Sequence, residues 1–213
     1  MPEVFKMELK EAILGRRSIR RFKKEPVPEE VIKEIIGLAV HAPTPGNIQM
    51  WGFHVVLNRE VKERLAKAIE TALAQISKDA GQSEDWLEGP RRSATFFAAA
   101  PVLIAVSTER YRSKVDETLA AAGHPQSFID ELRCRPDLQG IGAAIQTMLL
   151  AAHEKGLGTC WMTGPMAARP ELEKILGITP PRSLAAFVAL GYPDQTPGPK
   201  RLKSVPEVVE FIR

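Results

Sequence analysis

The sequence has only two cysteines, Cys134 and Cys160, in 213 residues. Two thiols cannot build a disulfide framework or a metal cluster by themselves, and they fit a reducing, cytoplasmic compartment. No run of about 18 apolar residues occurs, which excludes a membrane-spanning helix. Residues 1–6 lack a basic segment followed by an apolar one, so no secretory signal is expected. The four histidines, His41, His54, His124 and His153, are scattered without metal-ligand spacing, and His153 reads as a helix-end residue. There is no phosphate-binding P-loop, no Gly-x-Gly-x-x-Gly fingerprint, no Ser-His-Asp order and no internal repeat. Neither sign of charge dominates, for the formal net charge is only +3.

What is present is ordinary in amount and uneven in placement. Hydrophobic residues make up 44% and charged residues 26%, globular values that suit one domain over residues 1–213. Leu9, Ala12 and Ile13 give a short helical face closed by Gly15. A second helix is predicted from Pro28 through Ala39, stopping before Pro43. Leu65, Ala68, Ala72 and Ile76 continue a helix that begins near Val61. Residues 79–92, interrupted by Gly81, Gly89 and Pro90, read as a surface loop. Strands are expected at Phe53–Leu57, Pro101–Val106, Thr159–Met162 and Leu184–Leu190, with a helix around Pro170–Leu176. From Leu138 to Ala152 the pattern is apolar nearly all round, which predicts a central, buried helix. The segment 107–136 has weak periodicity and reads as an excursion with short helices. Residues 192–213 read as an extended arm in which Val205–Ile212 forms a last strand or short helix. Short strands mixed with helices, without a regular βαβ rhythm, indicate an α+β fold.

Two stretches carry the chemistry. In Arg16-Arg17-Ser18-Ile19-Arg20-Arg21-Phe22-Lys23-Lys24, six of nine residues are basic. Cations concentrated on a nearly neutral chain suit a small, strongly anionic group such as a phosphate better than a long polyanion. If the stretch is extended, Arg16, Ser18 and Arg20 share one face. The bland alternative is a solvated basic edge strand. The second stretch is Ala42-Pro43-Thr44-Pro45-Gly46-Asn47-Ile48-Gln49-Met50-Trp51. Its prolines and glycine stiffen the backbone and leave Thr44, Asn47 and Gln49 free to bond outward. Together the two suit a flat, polar-edged ring carrying a phosphate, as in flavin mononucleotide (FMN). Taken alone, the basic strip also admits a non-catalytic anion- or nucleic-acid-binding protein. Only Phe22 lies near it to stack on a base, which counts against nucleic acid.

In order and spacing, these stretches resemble the FMN-dependent nitroreductase family. Gly156-Leu157-Gly158-Thr159-Cys160-Trp161-Met162-Thr163-Gly164 and Gly191-Tyr192-Pro193 with Lys200-Arg201 extend the resemblance over nearly the whole chain. The resemblance implies a central, mostly antiparallel sheet flanked by helices, in an intertwined homodimer with two FMN sites at the subunit interface. It places Arg16, Arg17, Ser18 and Arg20 from one subunit against Pro43, Thr44 and Asn47 from the other. Thr163 and Gly164 would meet the reactive edge of the ring, and Lys200 and Arg201 would return to the phosphate. Met50 stands where relatives carry proline, so Asn47–Gln49 is expected to be held less stiffly. The implied activity is ping-pong electron transfer from NAD(P)H to nitroaromatic, quinone or related small-molecule acceptors. A specialised reductase or dehalogenase of one metabolite is the alternative on the same fold. No catalytic side chain, membrane contact or nucleic-acid partner is implied, and 107–136 is expected to cover the flavin. Cys160 reads as an inert core thiol.

Overall fold

The computed structural model describes residues 7–213; the stretch read for a secretory signal lies outside the described residues. Along the chain run α1 (Leu9–Gly15), α2 (Glu29–Ala39), β1 (Trp51–Val56), α3 (Arg59–Asp79), α4 (Glu84–Thr95), β2 (Val102–Glu109), α5 (Lys114–Ala121), α6 (Gln126–Arg133), α7 (Pro136–Glu154), β3 (Gly158–Met162), α8 (Arg169–Leu176) and β4 (Arg182–Gly191).

Alternation along the two central strands decides the architecture. Val102, Ile104 and Val106 of β2 enter one apolar cluster, and Leu103 and Ala105 enter another. Successive side chains of a strand point to opposite faces, so a sheet apolar on both must be covered on both. The strands form one sheet in the order β1-β2-β4-β3, with every neighbouring pair antiparallel. Ile32 and Ile35 of α2 and Ile141, Ile145 and Met148 of α7 cover one face. Leu65 and Ile69 of α3, Leu87 of α4 and Leu172 of α8 cover the other. An irregularity at Ala185 sets the edge of this second layer. Val106 pairs with Ala186 but Ser107 pairs with Leu184, and the extra residue turns Leu184 toward α8. There its N–H donates to Glu173 Oε1 at 2.7 Å.

Two local expectations are corrected. Residues 84–95 form α4 rather than a loop. The Ser83 hydroxyl accepts from the Trp86 N–H, and Glu84 and Asp85 occupy the first turn. Pro90 in a helix interior costs about 3 kcal/mol. Burial of Leu87, 2% exposed, returns about 1.5–3 kcal/mol, and Ala94 packs beside it. Tertiary contact with α3 thus outweighs the local breakers. Beyond Ser204 the arm holds only a single 3-10 turn, Val205–Glu207, and no strand.

The excursion begins after Glu109, since Ser107 and Thr108 belong to β2. It is tied down by charge. Asp130 of α6 pairs with Arg110 and Arg135, and Arg135 also meets the buried Asp137 at 2.5 Å. Burial by itself would raise the Asp116 carboxyl, but hydrogen bonds from Ser113 and the nearby Arg133 hold it below its ordinary pKa.

Candidate functional site

The basic strip is an edge strand, but a particular one. α1 ends at Gly15, where a side chain would begin 2.8 Å from His153 Nε2. At Ser18 and Ile19 the chain runs parallel to β3 at the sheet's free edge, and by Phe22 it pairs antiparallel with Pro193. Ser18 bridges Thr159, and the Ile19 N–H donates to the Thr159 carbonyl at 2.9 Å. Ile19 is buried against Gly158, leaving Arg16, Arg17 and Ser18 half-buried and Arg20 exposed.

The arm after β4 folds back on this strip. Gln195 Oε1 accepts from the backbone N–H of Arg20 at 3.2 Å and of Arg21 at 2.9 Å. The Arg17 guanidinium donates to the Gly198 carbonyl. These contacts bring Lys200 beside Arg16 and Arg17. Slight burial, then the two guanidinium groups, hold the Lys200 ammonium below its ordinary pKa. None of Arg16, Arg17, Arg20, Lys200 or Arg201 forms an ion pair among the described residues. Like charges gathered without a counter-charge repel one another and form a receptor for an anion. A cleft of about 490 Å³ opens here, lined in part by Arg16, Arg17, His153, Thr159 and Gln195.

Thr163 and Gly164 stand exposed at the far end of β3, about 16 Å from Gly158 at the rise of a strand. Gly164 opens a 3-10 turn, where the first N–H groups lack an intrahelical partner. Cys160 lies between the two ends. Burial pushes its thiol up, while Arg20, a hydrogen bond from Ser18 and Arg16 act in the opposite direction. The strip and β3 therefore make one line, cationic at one end and presenting backbone donors at the other.

Pro43, Thr44 and Asn47 are elsewhere in the chain. The Thr44 methyl lies 3.3 Å, and the Pro43 carbonyl 3.6 Å, from where a Gly140 side chain would begin. Trp161 of β3 meets α7 at Gly142 instead. Positions two apart on a helix point about 200° apart, so the loop and β3 flank α7 on opposite sides. Gly140 and His153 are also separated by about 20 Å of helix. The structure thus joins the strip to Lys200 and does not join either to the Pro43–Asn47 loop. That loop is well constrained despite Met50. Thr44 Oγ1 accepts from the Gln49 N–H at 3.1 Å, and the Asn47 N–H donates to the Thr44 carbonyl at 3.0 Å. Asn47 and Gln49 both hold φ of +54°, a left-handed conformation that costs most residues energy.

Two residues at the site escape sequence reasoning. Gln195 is one polar side chain in a Pro- and Gly-rich tail, with no local pattern to mark it. His153 carries a helix-end signal that hides its place in the cleft. Burial, then Arg16 and Lys200, hold its imidazole below the ordinary pKa.

The family model described as Nitroreductase family matches residues 13–192. NADH dehydrogenase of Thermus thermophilus is 29% identical, over 95% of this chain and 95% of its own. The crystal structure of a BluB-like flavoprotein from Clostridium difficile 630 is 33% identical, covers 97% of this chain and 100% of that one, and superposes with a TM-score of 0.87. A nitroreductase with bound FMN from Bacteroides fragilis shares the fold at 22% identity and a TM-score of 0.70, with both chains fully covered.

Proposed function

The chain belongs to the nitroreductase family, and we propose that it is an FMN-dependent oxidoreductase drawing electrons from NAD(P)H and passing them to a small electron-poor acceptor such as a nitroaromatic or quinone. The observation that carries this reading is the cation cluster that Gln195 and Gly198 assemble with no acidic partner among the described residues. A dianionic phosphate fits it, and the line of β3 beyond it offers donors to a ring. Arg16, Lys200 and Arg201 hold the phosphate, with Ser18 as a compact donor and Arg17 chiefly positioning the arm. Gly164 offers its N–H to the ring edge. When bound, FMN supplies reversible two-electron transfer, which the protein orients and tunes. NAD(P)H and the acceptor take turns at one open face, a ping-pong order that needs no dinucleotide fold. The α5–α6 excursion covers that face, and Phe128, 42% exposed and stacked on His124, is available to an acceptor.

A second copy of the chain completes the site. Pro43, Thr44 and Asn47 cannot reach the strip of their own subunit around α7, so a partner's loop fills that place. Leu9, Phe211 and Ile212, at 68%, 79% and 94% exposure, supply apolar surface for such pairing. The test is sedimentation of the purified protein with and without FMN, combined with a flavin titration. A yellow dimer that loses its flavin on dissociation is expected, and NAD(P)H oxidation on adding nitroaromatics or quinones completes the assignment. A monomer fully loaded with FMN refutes the shared site. A colourless protein indifferent to FMN refutes the enzyme.

Arg20 has a separate role. As an exposed cation whose charge acts on Cys160 of β3, it interacts mainly with negative charge that develops in the ring on reduction. Arg20→Ala is expected to lower the two-electron potential by about 20–45 mV, the equivalent of ~1–2 kcal/mol, with a smaller effect on FMN affinity. Spectroelectrochemical titration of the bound flavin checks this, and a wild-type potential removes Arg20 from the role.

A further inference from the structure

We propose that His153 is a proton-coupled phosphate ligand: it takes up a proton as a dianionic phosphate enters the cleft, so that binding and protonation reinforce each other. The inference rests on the reading of this cleft as the FMN phosphate site, and adds to it a residue and a pH dependence.

His153 sits in the last turn of α7, half-buried, with Nε2 packed against the Gly15 backbone at the point where the cationic strip begins. It lines the same cleft as Arg16 and Arg17. Its ring nitrogens have no hydrogen-bond partner among the described residues, and since no buried side-chain nitrogen there is left unsatisfied, they are open to the cleft. Gly15 is the residue that admits the ring so close to the strip, since any side chain there would collide with it.

The surrounding charges fix the sign. Arg16 and Arg17 face the cleft from the strip, and Lys200 approaches from the arm. α1 contributes only Leu14 and Gly15 to the lining, and β3 contributes Gly158 and Thr159. Lys155, two residues beyond His153, is paired with Glu34 at 2.6 Å. No carboxylate lines the cleft among the described residues. Burial and cations that lack an anion therefore favour the neutral form of His153. A dianion placed among Arg16, Lys200 and His153 cancels that repulsion and adds attraction of its own. The C-terminal end of α7 also favours a positive charge, through its aligned carbonyl dipoles. Neutral imidazole accepts a proton from buffer, and the imidazolium then donates to a phosphate oxygen.

Linkage gives the measurable consequence. Where the pKa is raised by binding, FMN affinity rises as pH falls from the raised value toward the lowered one, by up to about tenfold per pH unit for one proton. Phosphate itself begins to protonate near pH 6, so the effect is sought above that pH and below the raised His153 value. Calorimetric titration of the apoprotein with FMN, at constant pH in buffers of different ionisation heat, counts the protons taken up. Net uptake is expected with wild type, and none with His153→Gln or with riboflavin. The His153 Cε1–H resonance, followed by NMR in the wild-type apoprotein with and without inorganic phosphate, reports the same event with no substitution. Its midpoint is expected to move up by about 1 unit or more on binding. Equal proton uptake by wild type and His153→Gln, or an unmoved midpoint while Arg16→Ala still weakens FMN binding, overturns the role of His153 and leaves the phosphate site standing. Equal FMN affinity in wild type and Arg16→Ala overturns the phosphate site itself, and this inference with it.

Discussion

Replacing Arg16 with alanine is expected to weaken FMN binding about 10- to 150-fold, since a hydrogen bond to a charged group contributes about 1.5–3 kcal/mol and each 1.4 kcal/mol is tenfold. Riboflavin, which lacks the phosphate, should bind weakly to wild type and be nearly indifferent to the change. Arg16 acts on both Lys200 and His153, so it lies at the centre of the unpaired cations. Taking one positive charge out of a repelling cluster costs the empty protein little, and its melting temperature should be unchanged or slightly higher. That separates loss of a ligand contact from loss of the fold. The wild-type affinity should also fall with ionic strength more steeply than that of Arg16→Ala, because the site acts through charge. Flavin titration by fluorescence quenching, with FMN and riboflavin in parallel, measures all of this. Equal FMN affinity in both proteins would remove the phosphate from this end of β3.

The second large effect comes from a residue without a side chain. A Cβ at Gly158 would lie 2.7, 2.8 and 2.9 Å from Cγ1, Cβ and Cγ2 of Ile19. The obstacle includes the branched root of Ile19, which cannot swing aside as the tip of a long side chain could. Gly158→Ala is therefore expected to push the basic strip off the edge of β3. Overpacking of this kind costs about 1–3 kcal/mol, and a chain of this length loses about 2–4 °C in melting temperature per kcal/mol. FMN affinity should fall with it, because Ser18 and Arg20 move together with Ile19. Gly37→Ala in α2 is the control: nothing lies within 4 Å of its would-be Cβ, so it should be neutral or stabilising. Thermal melts of the apoproteins and FMN titrations decide the matter. A Gly158→Ala protein with wild-type melting and wild-type affinity would show that the strip is not seated by this contact.

Much of the scaffold was legible because the signals are local. The continuous apolar runs of β2 and β4 and the nearly all-round apolar pattern of α7 report burial on both sides, whatever the partner is. α4 was not legible. Gly89 and Pro90 are strong breakers by themselves, and only the surface of α3, onto which Leu87 and Ala94 pack, makes the helix the better state. Val205–Ile212, expected as a last strand or short helix, shrank to the one 3-10 turn Val205–Glu207 for the opposite reason. Its apolar residues suggest an element, but those from Val205 to Ile212 remain exposed within one chain, and nothing there holds more than a 3-10 turn.

The sequence by itself determined the inventory of chemistry: a concentrated patch of cations, a stiff loop rich in donors, and a buried strand followed by Thr163 and Gly164. It also determined which segments must be buried, because a 2- or 3.6-residue period is a property of the chain alone. The tertiary structure decided who meets whom. Gln195 reaches the backbone of Arg20 across 175 residues, and Arg17 reaches Gly198 across 181. His153 lines the cleft from the last turn of α7, beside the glycine that ends α1. The Pro43–Asn47 loop, close to the strip in sequence, is carried to the far side of α7. Such pairings depend on the path of every intervening element, and no local pattern encodes them.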